Sequence, residues 1–184
     1  MRLKNGKEVT IELLTKAHEK NQFSCEQETL DRFLKTSAGQ DSRRGFSRTY
    51  VATHTGNNVV FGYYSLNSGQ VRREIWPDIH KLPRYDIPVI HLGRLAVDNA
   101  MQGLGLGRLL LFHALALAMT HAEAIGAHAL TVDAIDQSAT DFYLHHDFLP
   151  LTDDKTKLFL EFNNVKRSMF PQEILDSVRQ KERP

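Results

Sequence analysis

At 184 residues with a formal net charge of +1, the chain can bury one sizeable core and carries no global charge excess. Any nucleic-acid site therefore has to be a local patch. Hydrophobic residues make up 41% and charged residues 24%, a balance that excludes a disordered polyelectrolyte and fits a soluble globular protein.

The single cysteine, Cys25, excludes an internal disulfide and fits a reducing cytoplasm. Alone, it reads as a small apolar residue rather than a nucleophile. Residues 1–10 are polar and lack the apolar core of a signal peptide. The longest apolar stretch, Leu109 to Met119, is interrupted by His113 and falls far short of a span of ~20 residues, so a buried helix is expected and no membrane partner. No repeat, low-complexity tract or linker divides the chain, and a single domain over residues 1–184 is the simplest expectation.

In chain order, Val9 to Leu13 alternates apolar and polar residues and predicts a strand. Ser24, with Gln27 and Glu28 behind it, predicts an N-cap, and Leu30, Phe33 and Leu34 predict a first helix over about 27–37. The basic stretch 40–48 has room for a short helix. Residues 49–53 and 59–71 predict two antiparallel strands joined by the turn Thr55-Gly56-Asn57-Asn58. The connection 72–88 carries three prolines and Trp76, a length more common in functional than in structural loops. Residues 88–97 predict a strongly apolar strand, 108–125 a helix closed by Gly126, and 129–135 a second buried strand. Ser138 to Asp141 predicts the start of a short helix bearing Phe142 and Tyr143. A last strand is expected at 157–162. An amphipathic C-terminal helix follows at about 170–181, with Ile174, Leu175 and Val178 on one face. This order predicts a mixed α/β or α+β domain around one central sheet.

Between the strand 88–97 and the helix from 108 lies Gln102-Gly103-Leu104-Gly105-Leu106-Gly107. A glycine-rich turn entering a helix N-terminus aims consecutive amides at one place, where the helix dipole adds positive potential, and so holds phosphate or pyrophosphate. No Gly-Lys-Ser/Thr follows, which excludes a P-loop. The position past mid-chain, after antiparallel strands, argues against a dinucleotide fold. An unliganded tight turn stays open on this feature alone.

The string Gly93-Arg94-Leu95-Ala96-Val97-Asp98, followed by Gln102 to Gly107, resembles the acetyl-CoA motif of the GNAT superfamily, Gln/Arg-x-x-Gly-x-Gly/Ala, with Gln102, Gly105 and Gly107 at the fixed positions. The resemblance implies acetyl-CoA as cofactor, with its pyrophosphate on the main chain of Gln102, Gly103, Leu104, Gly105, Leu106, Gly107 and Arg108. It implies pantetheine pairing along Leu95, Ala96 and Val97. It also implies a central, mostly antiparallel sheet flanked by helices, with a splay between its two central parallel strands. Residues 134–148 resemble the family's later motif, in which a short helix presents a tyrosine to the CoA sulfur. Ala134 and Ser138 border it, and Tyr143 takes the place of the general acid. Asp147 stands where the family commonly has glycine. A packed aromatic is the plain alternative for Tyr143.

The N-terminal half, through Phe23-Ser24-Cys25, Leu30 to Leu34, Ser47 to Val51 and Gly62 to Leu66, is similar to a GNAT branch containing the acetyltransferase toxins of bacterial type II toxin–antitoxin modules. That likeness implies aminoacyl-tRNA as acceptor, a ribbon-helix-helix antitoxin as partner and a homodimer. The chemistry is compatible, because an α-amine with a pKa of about 7.7–8.0 loses its proton far more easily than a lysine at about 10.4 and needs little help from a base. His91 is the one titratable base candidate inside the strand 88–97. A basic rim for tRNA is expected from Arg43, Arg44 and Arg48, from Arg72, Arg73, Lys81 and Arg84, and from Arg94 near the reaction centre; solvated surface arginines are the plain alternative. Transfer to a small amine, peptide or protein N-terminus, and a non-catalytic acyl-CoA-binding module, also stay open. The nine histidines form no metal-ligand spacing, and no metal is expected.

Overall fold

The computed structural model describes residues 1–77, 82–151 and 154–180. Its strands are β1 (Val9–Leu13), β2 (Arg48–His54), β3 (Val60–Val71), β4 (Ile87–Val97), β5 (Ala129–Asp133), β6 (Leu149–Pro150) and β7 (Lys157–Glu161). They form one seven-stranded sheet in the order β1-β2-β3-β4-β5-β7-β6. The β4–β5 pair is parallel, while β1–β2, β2–β3, β5–β7 and β6–β7 are antiparallel. The helices are α1 (Glu28–Arg32), α2 (Ala38–Arg44), α3 (Leu106–Ile125), α4 (Gln137–Leu144) and α5 (Gln172–Gln180). This is the mixed, mostly antiparallel architecture that the sequence predicts.

Backbone contacts divide the chain into two compact units. The first comprises Met1–Leu66, Arg94–Leu117 and the segment from Phe170; the second comprises Asn67–Gly93 and Ala118–Met169.

In the first unit, the alternation of β3 sends successive side chains to opposite faces. Tyr64 faces α3, where its hydroxyl lies 2.7 Å from His113 Nδ1. Gly62 shares that face, because any side chain there would meet Leu106 and Leu110. Tyr63 points the other way and donates to the Leu30 carbonyl at 2.8 Å. Its ring stacks on Phe33 at 6.1 Å and meets Phe23 edge-on at 5.6 Å. Helices thus cover β3 on both sides. α5 seats the amphipathic face expected of it, with Ile174 and Val178 buried and Leu175 half-buried.

The expected first helix is a composite. Between α1 and α2 the chain makes a π-helical turn, Phe33–Ser37, closed by the Ala38 N–H on the Phe33 carbonyl. Ser24 does not cap it: the position before α1 is Gln27, without a side-chain cap bond. Ser24 instead gives its backbone N–H to Asp98 at 3.0 Å. Wide turns of this kind concentrate at functional sites.

In the second unit, the parallel register of β4 and β5 runs from Val89↔Ala129 to Leu92↔Val132. β5 ends at Asp133, and β4 is the longer strand, ending at Val97. The cap of α4 is Asp136, whose carboxylate accepts from the Ala139 N–H at 2.8 Å, two residues before the expected Ser138. The two-residue strand β6 was not foreseen.

Candidate active site

Asp98 begins the local construction at the end of β4. One carboxylate oxygen accepts from the Ala100 N–H and the other from the Ser24 N–H, both at 3.0 Å. The Asn99 N–H returns a bond to the Ser24 carbonyl at 2.9 Å. Gln102 folds back over the same turn, giving its side-chain amide to the Val97 carbonyl at 3.3 Å and to Asn99 Oδ1 at 3.1 Å. Its part is therefore to brace the loop. Gly103 and Gly105 take φ of 73° and 86°, left-handed angles at which other residues are strained.

Residues 102–105 form a run of turns leading into the first turn of α3, whose N–H groups have no partner within the helix. They converge at the start of α3, a 20-residue helix whose dipole favours an anion there. The stem of Lys4 lies against Gly105, and its backbone N–H reaches the Leu104 carbonyl at 3.3 Å. Sequence reasoning gave no reason to bring this cation to the loop. Amides so placed fit the pyrophosphate of a coenzyme A, with Arg108 exposed beside them. Along the expected pantetheine strand, Ala96 is buried and Leu95 and Val97 are half-buried.

In the second unit, Tyr143 sits in α4 with its ring 5.2 Å from Phe142 and 5.4 Å from Phe148. It is 5% exposed, and burial pushes its hydroxyl well above the usual tyrosine value, which keeps the proton on. Among the described residues, that hydroxyl has no hydrogen-bond partner, so it is a proton donor without a competing acceptor. The end of α4 fixes the ring. The Phe148 N–H donates to the Tyr143 carbonyl and the Asp147 N–H to the Leu144 carbonyl, both at 3.2 Å. Asp147 supplies the left-handed φ of 65° that this closure requires. Aspartate tolerates that region better than most residues, so the departure from glycine leaves the geometry intact. Ser138 is exposed on the first turn of α4, while the Ala134 N–H is already taken by the Thr156 carbonyl at 2.8 Å.

The structure sorts the arginines. In the first unit Arg43 and Arg44 end α2, and Arg48 reaches back to the Ser42 carbonyl and hydroxyl at 3.4 Å each, which gathers the three at one end of that helix. Arg94 lies over the Phe33 ring at 3.6 Å from its centroid, half-buried, its direction set by the π-helical turn. In the second unit Arg73 gives its Nε–H to the Pro83 carbonyl at 2.8 Å, next to exposed Arg84. Exposed Arg72 borders a cavity of about 430 Å³ that also contains His91, whose Nδ1 is 3.1 Å from Thr131 Oγ1. Lys81 lies outside the described residues.

A mixed sheet with a parallel β4–β5 pair, and a glycine-rich turn at the helix that follows β4, fit an acetyl-CoA-dependent acyltransferase. The acetyltransferase (GNAT) family model matches residues 10–148, and the chain belongs to that family. A tRNA-acetylating toxin of Mycobacterium tuberculosis is 36% identical over 154 residues, covering 83% of this chain and 92% of the toxin. Among solved structures, a tyrosine-to-phenylalanine mutant of KacT superposes with a TM-score of 0.84 at 27% identity, covering 89% of this chain and 100% of the other. AtaT complexed with acetyl-methionyl-tRNAfMet gives 0.82 at 31% identity, covering 89% and 100%. AtaTR bound with acetyl-CoA gives 0.78 at 31% identity, covering 89% and 99%.

Proposed function

We propose that this enzyme moves the acetyl group of acetyl-CoA to the α-amino group of aminoacyl-tRNA, and so stops translation as the toxin of a toxin–antitoxin module. The observation that carries this reading is the 36% identity with a tRNA-acetylating toxin across 83% of the chain. The likeness to AtaT in its acetyl-methionyl-tRNA complex supports the same acceptor class.

Acetyl-CoA supplies the acetyl group as a reactive thioester. The amides of residues 103–108 hold its pyrophosphate, and the main chain of Leu95 to Val97 carries the pantetheine arm. The acceptor amine attacks in its neutral form, available near pH 8 without a dedicated base, since a free α-amine titrates at about 7.7–8.0. Tyr143, kept protonated by burial, gives its proton to the departing thiolate. Arg94, Arg43, Arg44, Arg48, Arg72, Arg73 and Arg84 meet the phosphates of the acceptor. The enzyme works in the cytoplasm, where charged tRNA is found, as a homodimer neutralised by a ribbon-helix-helix antitoxin.

The test uses radiolabelled acetyl-CoA, the purified enzyme and bulk charged tRNA, with deacylated tRNA and Tyr143→Phe as controls. Label is expected on charged tRNA alone, falling sharply in Tyr143→Phe. An enzyme that binds acetyl-CoA yet labels no charged tRNA refutes the acceptor and redirects the search to small amines and peptides.

A further inference from the structure

The first unit contains a pocket of about 360 Å³ between the end of β1 and α2. Lys16, Lys20 and Arg43 line it together with the hydroxyl-bearing Thr15 and Ser42, and no carboxylate does. None of the three cations makes an ion pair among the described residues. The heads of Lys20 and Arg43 are nevertheless placed. Lys20 Nζ donates to the Leu34 carbonyl at 2.9 Å, inside the π-helical turn. The Arg43 guanidinium lies back along α2, 3.6 Å from where a side chain on Gly39 would begin. The wall is fixed as well: His18 Nδ1 accepts from the Thr15 N–H at 2.9 Å, which leaves the proton of the neutral ring on Nε2, 3.3 Å from Glu12. Glu12, on β1, is thereby turned to His18. Burial, and then the positive Arg43, lower the pKa of Lys20, as expected of cations gathered without a counter-charge.

We infer that the pocket framed by Lys16, Lys20 and Arg43 is a phosphate subsite that takes one backbone phosphodiester of the tRNA acceptor, an assignment that rests on the proposed function. Ordered cations beside two hydroxyls suit a tetrahedral anion, and neither Lys16 nor Lys20 belongs to the arginine rim read from the sequence. Binding there adds affinity and register without base specificity.

The test is the variant Lys16→Gln, at an exposed position, so that folding is preserved. Affinity for deacylated tRNA is measured across a salt series, and KM and kcat with charged tRNA in parallel. The slope of log affinity against log salt should flatten by about 1, and KM for charged tRNA should rise roughly tenfold, with kcat at saturation and KM for acetyl-CoA held within about twofold. Lys20→Met, checked by its melting curve because it loses the Leu34 bond, should give the same flattening. Unchanged slope and KM in both variants overturn the inference while leaving the proposed acceptor standing. Variants that keep the tRNA slope but lose inhibition by polyglutamate assign the pocket to a protein carboxylate and also overturn it. A wild-type enzyme that labels no charged tRNA removes the proposed function, and this subsite with it.

Discussion

Replacing Gly62 by alanine probes how β3 supports the coenzyme loop. The added methyl would stand 2.9 Å from Leu110 Cδ1, 3.2 Å from Leu106 Cδ2 and 3.2 Å from the Ala96 carbonyl oxygen. Leucine ends can rotate, but Leu106 and Leu110 are 1% and 0% exposed, and a close-packed interior leaves them little to rotate into. The Ala96 oxygen is main chain and has no rotamer to change. Overpacking by one methyl costs about 1–3 kcal/mol, which at about 2–4 °C per kcal/mol lowers Tm by about 2–12 °C. Ala96 belongs to the proposed pantetheine strand and Leu106 begins α3, so the strain also reaches the ligand. Acetyl-CoA binding should weaken roughly three- to tenfold, short of the hundredfold that a misplacement of about 1 Å can produce. Calorimetric melting and titration with acetyl-CoA measure the two effects. Gly56→Ala is the control: its φ of 80° makes alanine strained, yet nothing lies within 4 Å, so stability falls while acetyl-CoA binding stays at the wild-type value. A Gly62→Ala protein that melts and binds like wild type refutes the close approach.

Tyr143→Phe should lower kcat by about 10²-fold or more with little change in Tm, because the ring contacts with Phe142 and Phe148 survive. Since burial raises the Tyr143 pKa, the kcat profile should show no loss of the acid form below the ordinary tyrosine value of about 10; a falling limb near pH 8 contradicts the assignment. For Cys25, burial first and then the hydrogen bond to Asp31 push the thiol up from 9.0 to about 11. Iodoacetamide at pH 8 should therefore alkylate the folded protein at least roughly tenfold more slowly than the urea-unfolded chain, and equal rates would show the thiol to be open. Because the folded value is the higher one, this group's contribution to stability is intact below pH 9 and is lost as pH rises through 11. Asp98→Ala removes the acceptor of two backbone N–H groups and should cost about 1–2 kcal/mol in urea unfolding, with Asp98→Asn recovering part of it.

What was legible in the sequence was whatever the chain builds from near neighbours. The glycine loop, α3 closed by Gly126, and the strand–turn–strand pair of β2 and β3 each depend on residues within a few positions of one another, and each lies where expected. The first helix failed where a distant partner decides. The Ser24 signature was sound by local rules, but its backbone N–H is claimed by Asp98, 74 residues away. The cap of α4 was misplaced for a smaller reason: Asp136 and Ser138 are both good caps, and the choice depends on where β5 ends. Arg94 was foreseen as a site residue, while its seat on Phe33 comes from a π-helical turn that no periodicity announces. Lys4, Lys16 and Lys20 look like ordinary surface lysines, and only the fold shows which of them are held in place.

The closure of α4 bears on how kin of this chain are to be found. What the backbone requires at residue 147 is a left-handed angle, and Asp147 meets it at φ 65°. A pattern that insists on glycine there would discard sequences with the same helix end and the same tyrosine. One that tolerates aspartate or asparagine at this position, and instead fixes the aromatic that follows, keys on the ring contact that holds the proposed proton donor still.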